Sequence, residues 1–407
     1  MDIKITPKLL SGAVTVPPSK SVAHRMMTAA ALAKGESVIE KVYPSKDILA
    51  TLGCLEALGA QVKLSGSTAV IKGIEKLPEK ATLDCCESGS TLRFLIPVAC
   101  ALGVDTTFIG SGRLPERPIT PYLEEFPKHG VTFDYNNTMP FSVSGKLTGG
   151  KFYISGGISS QFITGLLLAL PMLDGDSEII LTSHLESKPY VDITIGTLKD
   201  YGCEVQTAEN GYFVKGGQQY EPFSGAVEGD YSQAAFFYVA KALGSDIEIG
   251  GLNENSFQGD KEIVRIIEGC RRENGKLAPF TADCSDIPDL VPILAVLASF
   301  CEGTSYITNA ARLRIKECDR LAAITRSLNA VGGKVTERED GLIIEGVSRL
   351  TGGIVPDFND HRIPMAMAMA ATRSDAPITI LGAQCVSKSY PDFFGVYESL
   401  GADIERI

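Results

Sequence analysis

Six short turns along the chain gather small, hydroxylated and charged residues just ahead of Ala/Leu-rich stretches. They are Pro17-Pro18-Ser19-Lys20-Ser21, Glu87-Ser88-Gly89-Ser90-Thr91, Gly157-Ile158-Ser159-Ser160-Gln161, Gly229-Asp230-Tyr231-Ser232-Gln233, Ser285-Asp286-Ile287-Pro288-Asp289 and Asn359-Asp360-His361-Arg362. A helix entered at such a turn offers unpaired N–H groups and the positive end of its dipole, and anions bind there. The basic residues Lys20, Arg25, Arg93, Arg117, Lys316, Arg320, Arg362 and Lys388 lie in or near these turns and the motifs between them. Arginine meets carboxylate or phosphate with two parallel charge-assisted bonds, whereas lysine acts as a mobile point charge. The combination points to an enzyme that binds anionic small molecules.

The turns recur every roughly 60 to 75 residues, longer than short solenoid periods, which predicts duplicated α/β units rather than a stacked array. Candidate strands between them include Val38 to Val42, Gln61 to Leu64, Ala69 to Ile71 and Gly341 to Glu345. The stretches after the turns, Ser21 to Ala33, Thr91 to Ala101, Phe162 to Leu170, Ser232 to Leu243, Leu290 to Phe300 and Arg362 to Ala371, are apolar on most faces. A helix apolar all round is buried, so two internal helix clusters with sheets outside them are expected. Asp47 to Leu58, Asp192 to Tyr201 and Asp319 to Val331 read as more exposed amphipathic helices, each stopped by a nearby Gly.

At 407 residues, with 44% hydrophobic content, the chain exceeds one hydrophobic core, so two domains are the default. Three repeats fall on each side of a point near Phe223-Ser224-Gly225. The predicted lobes are residues 18–225 and residues 1–17 plus 226–407, with a hinge near 14–18 and 225–229. A net charge of −11 argues against nonspecific nucleic-acid binding. The start lacks signal-peptide character, and no apolar run is long enough to span a bilayer, so a cytoplasmic chain is expected. The ten cysteines lack a CxxC spacing and read as reduced, buried thiols. No G-x-G-x-x-G or Walker loop occurs, and His129 and His184 lack partners at metal-ligand spacing, so neither nucleotide, cofactor nor metal is expected.

At Pro18-Ser19-Lys20-Ser21-Val22-Ala23-His24-Arg25 the chain resembles the enolpyruvyl transferase family. The similarity recurs in family order at Ser88-Gly89-Ser90-Thr91-Leu92-Arg93, Glu116-Arg117-Pro118, Ser159-Ser160-Gln161, Ser187-Lys188-Pro189-Tyr190, Asp286-Ile287-Pro288-Asp289, Arg314-Ile315-Lys316-Glu317-Cys318-Asp319-Arg320, Asp360-His361-Arg362 and Lys388-Ser389-Tyr390-Pro391. The branch acting on UDP-N-acetylglucosamine typically has Lys-Asn at Lys20-Ser21 and a Cys where Gly112 stands; the shikimate branch fits better. The resemblance implies a two-domain inside-out α/β barrel, each domain built of three βαβαββ repeats with buried helices and outer sheets. It also implies transfer of the enolpyruvyl group of phosphoenolpyruvate to the 5-hydroxyl of shikimate 3-phosphate, through a tetrahedral adduct and closure of the two domains. A monomer acting on small molecules, with no nucleic-acid or membrane partner, is expected.

Carried over by resemblance, Ser21, Arg25, Ser159, Ser160, Ser187 and Tyr190 would hold shikimate 3-phosphate, with contributions from Gln161 and Asp289. Arg117, Arg320, Arg362 and Lys388 would clamp phosphoenolpyruvate, Gly89 allowing close approach and Gln161 adding a polar contact. Lys20 and Lys316 would sit between the ligands, Lys20 counting among the catalytic residues. Asp289 is expected to accept the 5-hydroxyl proton and Glu317 to protonate the methylene carbon. Two plainer readings stay open: Asp289 as the N-cap of the following helix, and Glu317 paired with Arg320 on a solvated face. His361 could donate to phosphate or brace its turn, and His24 could be structural. Glu87 and Arg312 stand near positions where the family often has Asn. A scaffold that keeps the fold but binds anions without catalysis is the alternative from another class.

Overall fold

Strand alternation and turn chemistry build one small unit repeatedly, most plainly over residues 80–145. In the strand Lys80–Asp84 exposed and buried residues alternate, as a half-buried strand requires. The chain then turns into the helix Gly89–Leu102, where the Ser88 hydroxyl accepts from the Thr91 amide at 3.2 Å and caps one orphan donor. Gly103 stops the helix in the left-handed conformation at φ 71°, where glycine carries no Cβ penalty. The strand Asp105–Ile109 pairs parallel with Lys80–Asp84, and Phe141–Gly145 and Val131–Asp134 extend the sheet antiparallel. Strand, helix, strand, helix and hairpin thus make one repeat.

A computed structural model describes residues 1–272 and 275–407. The chain folds as two compact units, Pro18–Glu228 and Met1–Pro17 with Gly229–Ile407. In the first, the sheet just described is joined by two others with the same order of pairing. One runs Gly225–Ala226, Glu36–Glu40, Thr68–Lys72, Gln61–Ser65, and the other Lys151–Ile154, Ser177–Leu181, Gly211–Val214, Gln206–Ala208. In the second unit the pattern recurs in Gly353–Pro356, Ile378–Leu381, Ile3–Thr6, Asp403–Arg406 and in Thr281–Asp283, Thr304–Thr308, Gly341–Glu345, Lys334–Arg338. The remaining repeat is reduced, among the described residues, to Ser11–Thr15 paired parallel with Asp246–Gly250. There the run after the helix Glu262–Cys270 makes one isolated bridge, Arg271 to Leu277, and Pro279 offers no N–H for a longer ladder.

The helices that follow the reactive turns are buried, as uniform apolarity demands. Every residue of Val291–Ala298 and of Arg362–Ala371 is buried. Gly89–Leu102 and Ser160–Ala169 cross so closely that a Cβ at Gly165 would collide with the Arg93 carbonyl oxygen and the Tyr122 hydroxyl. That hydroxyl lies 2.8 Å from the Arg93 carbonyl and 2.9 Å from that of Phe162, locking the two helix entrances together. The fold is therefore an inside-out α/β barrel in each unit, with helices inside and sheets outside.

Boundaries shift by a few residues from the sequence reading, and one shift is informative. The helix expected from Asp192 begins at Lys188, because Pro189 sits in the first turn where its missing N–H costs nothing. All ten cysteines are free thiols, and only Cys86 is not fully buried. Among the described residues no helix is long and apolar enough to cross a membrane.

Candidate active site

In the unit Pro18–Glu228 the helix Lys20–Leu32 carries Arg25 on its buried face. Its Nε donates to Thr194 Oγ1 at 2.7 Å, Nη1 to the Ser21 carbonyl at 2.6 Å, and Nη2 to Thr164 Oγ1 at 3.2 Å and the Tyr190 carbonyl at 2.8 Å. The guanidinium carbon lies 5.1 Å from the centre of the Phe94 ring. All these partners are uncharged, and burial pulls the Arg25 pKa down to about 9, with Tyr190 opposing. Lys20, one turn earlier, donates to Asp47 Oδ2 at 2.7 Å.

Behind these cations runs a chain of neutral groups. His24 Nδ1 lies 2.7 Å from Thr51 Oγ1, which is 2.6 Å from Thr91 Oγ1, and the Thr91 hydroxyl donates to Ser88 Oγ at 2.7 Å. Burial, then Lys20 and Arg25, hold the His24 imidazole well below its ordinary pKa, so it is neutral and structural.

The other two turns of this unit meet through Arg93. Its Nη1 donates to Gln161 Oε1 at 2.7 Å and its Nη2 to the Pro118 carbonyl at 3.1 Å, while Gln161 Nε2 donates to Ser90 Oγ at 2.9 Å. Gly89 lets the Arg117 guanidinium come close: a Cβ there would fall 2.5 Å from Arg117 Nη1 and push that group aside. Ser159 caps the helix Ser160–Ala169 by accepting from the Gln161 amide at 3.3 Å, and Ser160 is buried in the first turn. Ser187, in the left-handed region at φ 57°, precedes the helix that carries Tyr190. The structure thus groups Ser21, Arg25 and Tyr190, and separately Gly89, Arg117 and Gln161.

In the other unit Arg320 is the hub. Its side chain is 2% exposed and meets three carboxylates: Nε to Asp360 Oδ2 at 2.6 Å, Nη1 to Asp289 Oδ1 at 2.9 Å and Nη2 to Glu317 Oε2 at 2.7 Å. Arg362 opens the helix Arg362–Ala371, its amide donating to Asp360 Oδ1 at 3.0 Å and its Nη2 to Asp289 Oδ2 at 2.7 Å. The turn before it holds Phe358 and Asn359 in left-handed backbone, φ 54° and 56°, rare for phenylalanine. Lys388 Nζ donates to the Asn359 carbonyl at 2.8 Å and ties that turn down.

Burial would raise the Asp289 pKa, but Arg362, Lys316 and Arg320 outweigh both burial and Glu317, and the carboxyl is held well below the ordinary range. Burial lowers Lys316 to about 8, against the attraction of Asp289. Asp289 is therefore an ionised carboxylate, oriented by guanidinium groups that also lower its basicity.

Two expectations need correction here. Asp289 is not a helix N-cap: it lies in the 3-10 turn Pro288–Leu290, and the helix Val291–Ala298 has no side-chain cap. Both its oxygens are drawn to guanidinium groups, stronger partners than backbone amides. Glu317 does pair with Arg320, but on a buried arginine rather than a solvated face. Sequence reasoning also missed Asp360 as the anchor of Arg320, Asp47 as the partner of Lys20, and Thr164 and Thr194 around Arg25. Asp360 stood in a motif already singled out; the others carried no local signal. Of the two departures noted, Arg312 donates to the Ser285 carbonyl, and Glu87 packs against Gly112 so closely that a Cβ there would collide with its carboxylate.

A family model described as EPSP synthase (3-phosphoshikimate 1-carboxyvinyltransferase) matches residues 5–397. The 3-phosphoshikimate 1-carboxyvinyltransferase of Clostridium novyi is 44% identical, covering 100% of this chain and 98% of that protein. The protein of the same name from Clostridioides difficile is also 44% identical, over 99% and 98% of the two chains. Among solved structures, EPSP synthase from Acinetobacter baumannii superimposes with a TM-score of 0.83 at 26% identity, over the full length of both chains.

Proposed function

The chain belongs to the EPSP synthase family, and from that membership and the two clusters we infer that it transfers the enolpyruvyl group of phosphoenolpyruvate to the 5-hydroxyl of shikimate 3-phosphate. Phosphate is released, and the reaction is a step of the shikimate pathway. The observation that carries the chemistry is Asp289, ionised and fixed through both oxygens by Arg320 and Arg362. The two guanidinium groups orient the carboxylate and also weaken its basicity, which rises once phosphoenolpyruvate draws Arg320 and Arg362 toward its own charges.

Asp289 takes the proton of the 5-hydroxyl as its oxygen attacks C2 of phosphoenolpyruvate. Glu317, which becomes a neutral acid once the anionic ligands bind and draw Arg320 from it, gives that proton to the C3 methylene, which turns C2 electrophilic, and a tetrahedral adduct forms. Glu317 then removes a proton from the new methyl group, the C2–O bond to phosphate breaks, and Asp289 returns its proton to the leaving phosphate. The atoms balance with no protein-bound intermediate.

Arg25, with Ser21, Ser159, Ser160, Ser187 and Tyr190, is assigned to shikimate 3-phosphate, aided by Gln161. A phosphate dianion gives Arg25 the charge partner that its hydroxyl and carbonyl neighbours do not supply. Arg117, Arg320, Arg362 and Lys388 are assigned to phosphoenolpyruvate, with Gly89 and Gln161, while Lys20 and Lys316 serve both ligands. Ten free thiols suit a reducing, cytoplasmic setting, and the charge of −11 speaks against a nucleic-acid partner. A monomer suffices for this chemistry.

Phosphate release from phosphoenolpyruvate should be measured with shikimate 3-phosphate and, separately, with UDP-N-acetylglucosamine. Release with the first alone is expected. Release with the sugar nucleotide alone, or with neither, overturns the reading.

A further inference from the structure

The motif from Arg314 to Arg320 has an arginine at each end, and of the two Arg320 holds the reacting carboxylates Asp289 and Glu317. Arg314, with its side chain 29% exposed, bonds to a different set of partners. Its Nη1 donates to Asp319 Oδ2 at 2.9 Å and Glu337 Oε1 at 2.7 Å, its Nε to the Glu339 carbonyl at 2.9 Å and its Nη2 to the Arg338 carbonyl at 2.6 Å. Glu337 and Arg338 end the strand Lys334–Arg338, which pairs antiparallel with Gly341–Glu345. One guanidinium therefore grips the tip of a hairpin. The Ala310 amide, just ahead of the motif, donates to the Asp340 carbonyl at 2.7 Å at the same tip.

The partner outside the hairpin, Asp319, is shared with a helix. Its Oδ1 accepts from the Ala322 amide at 3.1 Å and caps the helix Arg320–Ala330, while its Oδ2 takes Arg314. The chain thus leaves Arg314 and returns to it five residues later. Within that closed segment Lys316, Glu317 and Cys318 belong to no helix or strand, so they are placed by anchors rather than by a ladder of their own. On the inner side Arg320 Nη2 donates to Glu317 Oε2 at 2.7 Å and the Cys318 thiol to Asp360 Oδ2 at 3.6 Å. On the outer side the anchor is Arg314. The bond from Arg320 is the one that the reaction loosens, because Glu317 gives up its proton only after bound anions have drawn Arg320 away.

We propose that Arg314 is a positioning residue for Glu317: by tying Asp319 to the hairpin tip it holds the segment Lys316–Cys318 closed, and so keeps Glu317 in place for proton transfer while Arg320 is drawn to phosphoenolpyruvate. Arg314 touches no reacting atom in this role. A planar guanidinium spans its four acceptors at once, which the point charge of a lysine does not. The outer anchor is already complete before any ligand binds.

The proposal rests on the functional reading above, and a cycle of R314M and E317Q separates the two. Phosphate release from phosphoenolpyruvate with shikimate 3-phosphate is measured in wild type, each single variant and the double variant. R314M should fold by circular dichroism and lower kcat by about 10- to 100-fold, the cost of displacing a reacting group by about 1 Å. The KM for phosphoenolpyruvate should stay within about threefold, because Arg320 and Arg362 keep Asp360 and Asp289 as partners. E317Q removes the proton donor and should lower kcat by about 10² to 10⁴. In the E317Q background R314M should cost no more than about a further threefold, since the group it positions is already gone. R314K runs the same cycle should R314M not fold: with part of the bonds kept, kcat should fall about fivefold in wild type and barely in E317Q. Equal losses in the two backgrounds, or wild-type kcat in the Arg314 variant, overturn this proposal alone. No turnover by wild type overturns the functional reading and this proposal with it.

Discussion

Arg25 and Arg320 are both buried arginines, yet their surroundings are opposite. Arg25 bonds to threonine hydroxyls and backbone carbonyls and stacks on Phe94. Arg320 meets Asp289, Glu317 and Asp360. Burial lowers the Arg25 pKa to about 9; it pulls on Arg320 too, but Asp360, Glu317 and Asp289 raise that pKa well above its ordinary value. A cation among dipoles costs the fold desolvation and gains when an anion arrives, whereas one among carboxylates is neutralised by the fold itself. The first arrangement suits seating a phosphorylated substrate. The second suits holding carboxylates still while protons move.

The contrast breaks most visibly at Arg320. R320M takes the shared guanidinium from Asp289, Glu317 and Asp360, leaving Asp289 to Arg362 and Asp360 to the Arg362 amide, and loss of one partner from such a cluster costs about 3–5 kcal/mol. Denaturant titration should show that loss, together with turnover below detection. D289N should keep the fold by circular dichroism but lower kcat by about 10² to 10⁴, the range for a general base. The Asp289 pKa is depressed in the folded protein, so its contribution to stability is present above about pH 4, its ordinary unfolded range, and is lost as the pH falls below it. The stability gap between wild type and D289N should therefore narrow on acidification below pH 4.

R25M should behave differently. Thr164 and Thr194 keep each other as partners at 2.9 Å, and Tyr190 keeps the Thr194 hydroxyl at its carbonyl at 3.0 Å, so little is left unsatisfied. Unfolding free energy should stay within about 1 kcal/mol of wild type or rise. The KM for shikimate 3-phosphate should nevertheless increase by about 30-fold or more, the cost of charged hydrogen bonds. A smaller effect belongs to Lys316, which burial holds at about 8. Turnover should decline as pH passes that value, and K316R, whose guanidinium stays charged, should abolish that decline.

The repeat, the buried helices and the turns that enter them were legible in the sequence because caps, glycine stops and apolar runs are local signals. The helix Arg362–Ala371 and the strand Gly341–Glu345 coincide with the expected spans for that reason. Partner choice was not local. Asp289 looked like a cap because its immediate neighbours invite that role, but the groups that claim it lie 31 and 73 residues away. Thr164 and Thr194 lie 139 and 169 residues from Arg25 and carry no mark of the role they fill.

The division between a substrate seat at Arg25 and proton transfer at Asp289 is tested most directly by calorimetric titration of shikimate 3-phosphate into wild type, R25M and D289N without phosphoenolpyruvate. Binding to D289N should fall within about tenfold of wild type, and R25M should lose about 30-fold or more, the worth of charge-assisted bonds. Full affinity in R25M, or a greater loss in D289N than in R25M, contradicts that division.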